Sequence, residues 1–454
     1  MDRRHFLALS TAATLAACKP PHEETGGDGP GPTSPRRITE PDEWEPEGEV
    51  DLVVFAWGIQ TGDARPDAVE VSIRCNEETL TLVLVKADGR TWVAEREVVL
   101  ACEHRARTTL SGLSPDTAYR LVAYLGEGAG EIRSEVARFR TALASGQDRI
   151  VVFGVTSCIS KANAPWPNLT HMGGHQLDFL GLLGDTIYAD HSGFSATTLE
   201  QYREVYDDAY PIEGLYEALR HTSSIATWDD HEVYNNWNEA DLPQAQIDAA
   251  REAFLEGLPQ TSGPTGAMWR SLSWGAVLDV FVLDSRGERI YGTDQYLSAE
   301  QEAWFLDGLR ASTARFKLIF NSVPITDFSD VLGTAEADDR WSGFEVQRTR
   351  ILKAIDDAGI EGVVWLAGDL HFAAVTWVGK TGEVGASQPE VLCGPSGSRL
   401  NPVGALYVGD RTQFPILLSE WNWVRFEANA ARGTLQLQFI GDDASVLEET
   451  TLAL

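Results

Sequence analysis

Positive charge is scarce in this chain of 454 residues. Lysine and arginine together number 36 against 68 aspartates and glutamates, which gives a formal net charge of −32. A surface of that sign repels polyanions, so the composition argues against nucleic-acid binding. An anionic substrate is compatible with this charge where a local cation, such as a bound metal ion, offsets the field. The acidity also has a simpler interpretation, which is solubility outside the cell or in salt.

Apolar residues are lacking in one short stretch only. Residues 18–48 are rich in proline, glycine and glutamate, which predicts a flexible tether rather than a fold. The chain as a whole is 43% hydrophobic, so disorder of the whole protein is excluded. Its length allows two or three domains.

A long apolar run is missing at the N-terminus as well. The pair Arg3 and Arg4 is followed by an apolar run that is too short and too rich in small residues to span a membrane. The run ends in Leu-Ala-Ala-Cys at positions 15–18, which looks like a bacterial lipobox. We therefore predict a twin-arginine signal peptide over residues 1–17 and a lipid on Cys18. The protein would then be exported, periplasmic or at the cell surface, and anchored to a membrane. An ordinary signal peptide with a chance cysteine is the alternative.

Cysteine occurs five times. Cys18 is assigned to the lipid, and Cys75 and Cys102 lie in one β-rich region where they could pair after export. Cys158 and Cys393 lie far apart in sequence. They could form a disulfide, provide a metal ligand plus a buried thiol, or be two inert core residues.

Residues 49–142 consist of short strand-like segments. Apolar residues alternate or run continuously at 69–73 and 80–84, and turn residues separate such segments. The stretch that ends in Tyr119, followed by Phe139, resembles the end of a fibronectin-III-like sandwich, in which a tyrosine packs at a strand corner. We predict a small all-β sandwich domain with a structural role, because it contains no cluster of potential ligands.

From residue 148 to residue 454, apolar runs alternate with helical stretches, which predicts an α/β layered domain. Five strand-like segments are followed by polar residues that suit chemistry: Ser157-Cys158, Gly184-Asp185-Thr186-Ile187-Tyr188, Trp228-Asp229-Asp230-His231-Glu232, Asp284-Ser285-Arg286 and Gly368-Asp369-Leu370-His371. Ligands bind beyond the carboxyl ends of strands in open α/β sheets. A single aspartate at a strand end usually caps the next helix, but five such ends together favour a catalytic site.

The residue types at these strand ends suit metal ions. A glycine before Asp185 and before Asp369 lets each carboxylate project from a tight turn, as a carboxylate that bridges two cations requires. Asp369 and His371 share one side of an extended segment. Carboxylates with imidazole suit a transition or alkaline-earth metal, whereas the thiolate of Cys158 and the phenolate of Tyr188 fit trivalent iron better than magnesium.

Two further side chains are candidates for contact with substrate. His231 is a candidate general acid or phosphate ligand, although a histidine beside two aspartates is also a common structural arrangement. Arg286 suits bidentate contact with a pair of phosphoryl oxygens, and its alternative is a surface ion pair with Glu288.

The ordered set of motifs resembles the PhoD-type alkaline phosphatase and phosphodiesterase family. Ser-Cys, Gly-Asp-x-Ile-Tyr, Trp-Asp-Asp-His-Glu with Asn235-Asn236, Leu-Asp-x-Arg and Gly-Asp-x-His occur in that family's order, and residues 58–74 look like the opening of its N-terminal domain. The resemblance implies a layered metallophosphatase sandwich, with two β-sheets flanked by helices, behind a fibronectin-III-like domain. It also implies metal-dependent hydrolysis of phosphate esters.

The resemblance further implies a metal set, which is ferric iron with calcium, other divalent metals being the alternative. By motif match, iron is held by Cys158, Asp185 and Tyr188, and Asp185 bridges to calcium. The calcium and phosphate surroundings are completed by the remaining matched residues, Asp230 or Asn236 together with Asp369 and His371. Together with the two candidates for contact with substrate, we predict a catalytic set of His231, Arg286 and Asp230.

A second class of function also fits the sequence, namely a lipid-anchored surface binding protein that keeps the fold without catalysis. The intact ligand set favours the enzyme, because a degenerate site is expected to have lost some of these side chains.

Overall fold

The computed structural model describes residues 43–454 apart from 76, 102–104, 192, 239 and 334–336. The predicted signal peptide, Cys18 and all but the end of the tether lie outside the described residues, and so does Cys102. Cys75 is disulfide-bonded. Among the helices of the described part, none has the length and apolar character needed to cross a membrane.

In the described N-terminal region, nine strands precede residue 142: β1 (Glu49–Val50), β2 (Ile59–Gly62), β3 (Ala68–Arg74), β4 (Thr79–Asp88), β5 (Thr91–Ala101), β6 (Arg105–Ser111), β7 (Ala118–Leu125), β8 (Ile132–Arg133) and β9 (Ala137–Arg140). The strands that follow are β10 (Val151–Thr156), β11 (Phe179–Leu183), β12 (Ser224–Thr227), β13 (Arg270–Trp274), β14 (Leu278–Val282), β15 (Phe316–Phe320), β16 (Val363–Ala367), β17 (Ala373–Trp377), β18 (Pro389–Leu392), β19 (Ile416–Leu418), β20 (Asn422–Asn429), β21 (Thr434–Gly441) and β22 (Val446–Ala453).

The α-helices are α1 (Pro167–Met172), α2 (Leu199–Ala209), α3 (Glu213–His221), α4 (Gln244–Gly257), α5 (Ala299–Ala311), α6 (Ser329–Leu332), α7 (Glu345–Asp357) and α8 (Val403–Leu406). Short 3-10 helices lie at Lys161–Asn163, Gly173–His175, Pro264–Gly266, Ala337–Asp339 and Trp341–Phe344.

The N-terminal region packs two layers of strands around one apolar core. One layer has the order β1-β8-β7-β4-β5 with β9 beside β7, and the other consists of β2, β3 and β6. The ring of Tyr119 stacks on Phe139 with centroids 5.2 Å apart, and its hydroxyl accepts a hydrogen bond of 2.8 Å from the backbone N–H of Ser114. A buried tyrosine thus lies at the strand corner that the sequence suggested.

The second of these layers continues into the rest of the protein. It forms one end of a nine-stranded sheet of order β22-β21-β20-β10-β11-β12-β2-β3-β6. The junction is a parallel pairing of Gly62 in β2 with Ser224 in β12. A Cβ on Gly62 would lie 1.7 Å from the carbonyl oxygen of Pro259, so only glycine fits this close approach. One sheet therefore crosses the boundary near residue 142 that we predict between the domains, and that boundary stays a prediction.

A seven-stranded sheet, of order β13-β14-β15-β16-β18-β17-β19, faces the nine-stranded sheet across the main core. Phe153 stacks on Phe179 and on Phe426, with centroids 4.6 and 4.8 Å apart, and Phe320 and Leu366 reach the same core from the second sheet. Continuous apolar strands such as β10, β11 and β16 are buried along their whole length, as expected for strands covered on both faces.

Helices cover the outer faces of both sheets. Those in the first half of the domain, α1 to α4, pack on the nine-stranded sheet, and α5 and α7 pack on the seven-stranded sheet. The layered α/β architecture with two flanked sheets is therefore confirmed. Strands β10, β11 and β12 run parallel, and so do β14, β15 and β16, so each set of carboxyl ends meets at one edge of its sheet.

Candidate metal centre

The residues that follow five of the strands come together at one edge of the sandwich. Cys158 after β10 and His371 after β16 lie beside Asp185, which follows β11. Arg286, which follows β14, contacts Asp229 after β12. The strand ends that the sequence singles out thus form one cluster.

The backbone at this edge adopts left-handed turns. Five predicted ligands have positive φ angles, namely Cys158 (57°), Asp185 (52°), Asn236 (54°), Asp369 (63°) and His371 (59°). This region is sparsely populated by residues other than glycine, although aspartate, asparagine and histidine tolerate it better than most. Such conformations are concentrated at functional sites, where they aim side chains that a regular strand could not aim.

Two glycines allow the turns to approach their neighbours. A Cβ on Gly184 (φ 97°) would lie 2.4 Å from the Cβ of Asp229, and a Cβ on Gly368 would lie 2.4 Å from the hydroxyl oxygen of Ser157. Each Gly-Asp turn therefore requires its glycine for space, which agrees with the reason inferred from the sequence.

A thiol, a carboxylate, an imidazole and a phenol converge at the first part of the centre. The ligand atoms of Cys158, Asp185 and His371 all lie within 4.8 Å of one another. The hydroxyl of Tyr188 lies 3.1 Å from Asp185 Oδ2 and 3.4 Å from His371 Nε2. Cys158 and Cys393 are both free and buried, so a disulfide between them is excluded.

Two further ligand groups are linked to the first in series, because the second shares Asp185 with the first and the third shares Asp230 with the second. One consists of Asp185, Asp230 and His231, and the other of Asp229, Asp230 and Asp369. Carboxylates shared in this way are what neighbouring cations require. Asn236 lines the same cleft, and its backbone N–H donates to Asp230 Oδ2 at 2.7 Å. Its role as a ligand stays a prediction.

Burial opposes ionisation throughout the centre. It raises the pKa of the Asp185 and Asp369 carboxyls well above the ordinary value, and the charge of Asp229 raises that of Asp369 further. Burial also raises the pKa of the Cys158 thiol and the Tyr188 hydroxyl. In the described structure Asp229 Oδ2 is buried without a hydrogen-bond partner. Crowded, buried anionic ligands of this kind fit a bound cation, which would compensate their charge.

His231 and Asp230 favour opposite charges. Burial by itself would lower the pKa of His231, but Asp185 and Asp230 outweigh it and raise the pKa to about 11. Burial would raise the pKa of Asp230, but Arg286 and His231 outweigh it and lower the pKa. The ring of His231 is fixed by Asp190, whose Oδ1 lies 2.6 Å from Nδ1.

Arg286 lies beneath the centre and has no exposed side-chain surface. Its Nε, Nη1 and Nη2 atoms lie 2.5, 2.6 and 3.2 Å from carboxylate oxygens of Asp229, Asp339 and Asp369, respectively. The predicted bidentate contact with a phosphoryl group needs an exposed guanidinium edge, which this arrangement does not offer. The alternative pairing with Glu288 is not formed either, since the ion pairs of Arg286 are to aspartates and Glu288 instead accepts hydrogen bonds from a tryptophan and a glutamine. The geometry corrects our prediction and makes Arg286 a positioning residue for the carboxylates.

Sequence reasoning gave no role to three residues that organise the centre. Glu232 accepts hydrogen bonds from the backbone N–H groups of Asp185 (3.0 Å) and Asp229 (2.9 Å), and so ties two of the turns together. Its position in the sequence, directly after His231 in the same motif, could have indicated that Glu232 lies at the centre. Asp339 and Ser398, the latter 3.0 Å from the Tyr188 hydroxyl, lie outside every motif, and no sequence signal indicated them.

The centre opens into a cleft of about 220 Å³. Its lining is almost entirely polar: Asp185, Asp230, His231, Asn235, Asn236, Asp339, Arg340, Asp369, Leu370, His371 and Asn401. A larger cavity of about 780 Å³ lies at the opposite, amino-terminal end of β16, near Trp377 and Leu454, and is remote from the carboxylates. The cleft is therefore the candidate site.

Known proteins share both the sequence pattern and the fold. Alkaline phosphatase D of Bacillus subtilis (strain 168) is 25% identical over 383 residues, which cover 70% of this chain and 64% of that protein. This chain thus spans less than two thirds of that relative's length.

Two solved structures show the same fold. The structure of PhoD superposes with a TM-score of 0.74 at 20% identity and covers 88% of this chain and 89% of its own. A purple acid phosphatase from yellow lupin (Lupinus luteus) seeds gives a TM-score of 0.63 at 11% identity and covers 87% of this chain and 73% of its own. The metallophosphatase sandwich is confirmed by these similarities. The sequence profile of the PhoD-like phosphatases matches residues 153–446, more than half of the chain, and the protein therefore belongs to the PhoD-like phosphatase family.

Proposed function

We propose that the protein hydrolyses phosphate esters, monoesters or diesters, at a metal centre. The observation that carries the proposal is the set of three ligand groups, linked in series by Asp185 and Asp230, at the floor of one cleft. Bound cations in such a site supply Lewis acidity toward phosphoryl oxygens and lower the pKa of an oxygen nucleophile. The name of the Bacillus relative, alkaline phosphatase D, supports the same class of reaction.

The side chains of the chain itself bind, orient and transfer protons. The carboxylates of Asp229, Asp230 and Asp369 would hold one cation, and Arg286 keeps two of them from moving apart. His231 has its Nδ1 held by Asp190, so its Nε2 is the atom placed to give a proton to the leaving oxygen.

The test of this function is to replace the shared carboxylate. Asp185→Asn keeps the shape but removes the charge between two ligand groups, so both bound metal and turnover of an aryl phosphomonoester and diester should be lost. Asp208→Asn, at an exposed ion pair with Lys161, is the matched control and should retain both. If the unaltered protein binds metal in stoichiometric amounts but hydrolyses neither ester, the enzyme proposal is contradicted and the binding-protein alternative is favoured.

For the identity of the metals we propose ferric iron and calcium. The support is the donor set, because a buried thiol and a phenol, Cys158 and Tyr188, converge on the carboxylate of Asp185. Thiolate and phenolate are good electron donors to ferric iron, so the purified protein should be coloured. Tyr188→Phe should shift or abolish the absorption band, and Cys158→Ser should change it separately. A colourless, active protein that contains only zinc or calcium would contradict the iron proposal and leave the hydrolase proposal standing.

We also propose that the protein is exported and lipid-anchored through Cys18. The support is the twin-arginine pair and the Leu-Ala-Ala-Cys sequence, followed by a tether rich in proline and glycine. Cys18→Ser should move the protein from the membrane fraction to the soluble fraction without altering its specific activity. A wild-type protein that is soluble and carries no lipid would contradict this proposal.

A further inference from the structure

Arg340 is the one arginine or lysine among the described residues that line the cleft. Apart from His231, whose imidazole is held by Asp190, the other charged side chains of the lining are the carboxylates Asp185, Asp230, Asp339 and Asp369. A phosphate ester that enters this cleft therefore meets a strongly negative surface wherever the metal ions do not reach it. Besides His231, a guanidinium on the wall can offset that repulsion.

The backbone on both sides of Arg340 is fixed. The carboxylate of Asp339 is held by Arg289 at 2.7 Å, as well as by Arg286 beneath the centre. On the other side, Trp341 is fully buried and stacks on Tyr296 with centroids 4.0 Å apart. Arg340 itself is only half-buried and has an extended backbone (φ −113°, ψ 166°). Its Cα therefore has a defined place in the wall of the cleft that the residue lines.

We propose that Arg340 binds the terminal oxygens of a phosphomonoester and so determines a preference for monoesters over diesters. This inference rests on the proposed hydrolysis of phosphate esters at the same centre. Arg286 cannot take this role in the described structure, because its guanidinium is enclosed by carboxylates.

The chemistry of the two ester classes gives the reason for the preference. At alkaline pH a monoester carries about two negative charges on its phosphoryl group, because its second pKa is about 6, whereas a diester carries about one. A planar guanidinium presents two parallel N–H donors to a pair of phosphoryl oxygens, and a diester has one fewer unsubstituted oxygen to offer. Arg340 therefore interacts more strongly with the monoester.

The experiment compares three variants of the metal-loaded protein. Arg340→Gln removes the charge, and Arg340→Lys keeps the charge but loses the planar pair of donors. Arg399→Gln is the matched control, because Arg399 is exposed and close enough to affect His371 electrostatically but does not line the cleft. The measurements are kcat and KM on a monoester and a diester with the same aryl leaving group, the binding of inorganic phosphate by calorimetry, and metal content.

Loss of a charge-assisted contact corresponds to a roughly 10- to 100-fold weakening of binding. Arg340→Gln should lose that much in kcat/KM on the monoester and in phosphate affinity, with little change on the diester and full metal content. Arg340→Lys should lie between it and the wild type, and Arg399→Gln should change little.

Equal losses on both esters, no loss on either, or an equal effect of Arg399→Gln would overturn the assignment. If the wild-type protein hydrolyses neither ester, the proposed function fails. Phosphate binding then still decides whether Arg340 contacts a phosphoryl group, because calorimetry requires no turnover.

Discussion

Replacement of Arg286 should lower the free energy of unfolding of the protein, because it leaves buried carboxylates without their counter-ion. In Arg286→Met, the carboxylates of Asp229, Asp339 and Asp369 remain buried but lose the guanidinium that bridges them at 2.5 to 3.2 Å. The side chain has no exposed surface, so water does not screen the loss. Breaking a buried ion pair by removal of one partner typically costs about 3 to 5 kcal/mol.

Metal ions should reduce this loss. Cations that bind the same carboxylates in the native state compensate part of the charge and stabilise the fold by mass action. The free energy of unfolding of Arg286→Met should therefore fall by about 3 to 5 kcal/mol in the metal-free protein and by less in the metal-loaded protein.

Urea denaturation of both forms, followed by fluorescence, measures these differences. Arg310→Met is the control, because Arg310 belongs to an exposed pair with Asp307 and should change the free energy of unfolding by less than about 1 kcal/mol. If Arg286→Met has the stability and metal content of the wild type but binds inorganic phosphate more weakly, the reasoning is refuted, and Arg286 contacts the substrate after all.

Three other predictions follow from other parts of the structure. Asp63→Ala removes a fully buried carboxylate that accepts hydrogen bonds of 2.6 and 2.9 Å from Arg270, so it should cost about 3 to 5 kcal/mol in urea denaturation, whereas Lys353→Ala at an exposed pair should cost under about 1 kcal/mol. Gly184→Ala places a Cβ against Asp229 and should lower metal content, measured by elemental analysis. Burial lowers the pKa of His371 to about 4, whereas the unfolded chain takes up this proton near pH 6.5. The melting temperature of the metal-free protein should therefore fall as the pH drops between these values, and it should fall less in His371→Asn.

The sequence predicted the main architecture because its strongest signals are local. Continuous apolar runs predict strands buried on both faces, and β10, β11 and β16 are buried along their whole length. The sequence also indicated that polar residues gather beyond the carboxyl ends of parallel strands, which holds within each sheet. Asp185 and Asp369 both line the cleft, but they follow strands of different sheets, so the packing of the two sheets was needed to bring them together.

The network that supports the centre was not predictable, because it depends on distances between segments remote in sequence. Whether Arg286 is exposed or buried depends on Asp339, which comes from a short 3-10 helix outside every motif. Ser398 likewise reaches Tyr188 from a loop after β18. Local patterns identify which residues approach a site, but not which of them remain accessible to a ligand.

The sheet that runs through the whole protein has a consequence for the order of folding. Strand β2 leaves the ribosome long before β12, and Asp63, next to β2, has its ion-pair partner Arg270 in β13, later still. Until those segments are synthesised, β2 presents unpaired backbone groups on one side, and its neighbouring carboxylate lacks its counter-ion. Contacts between such distant segments slow folding, and an unpaired edge strand favours association with other chains. The N-terminal region therefore cannot complete its fold early in translation and depends on the later half of the chain.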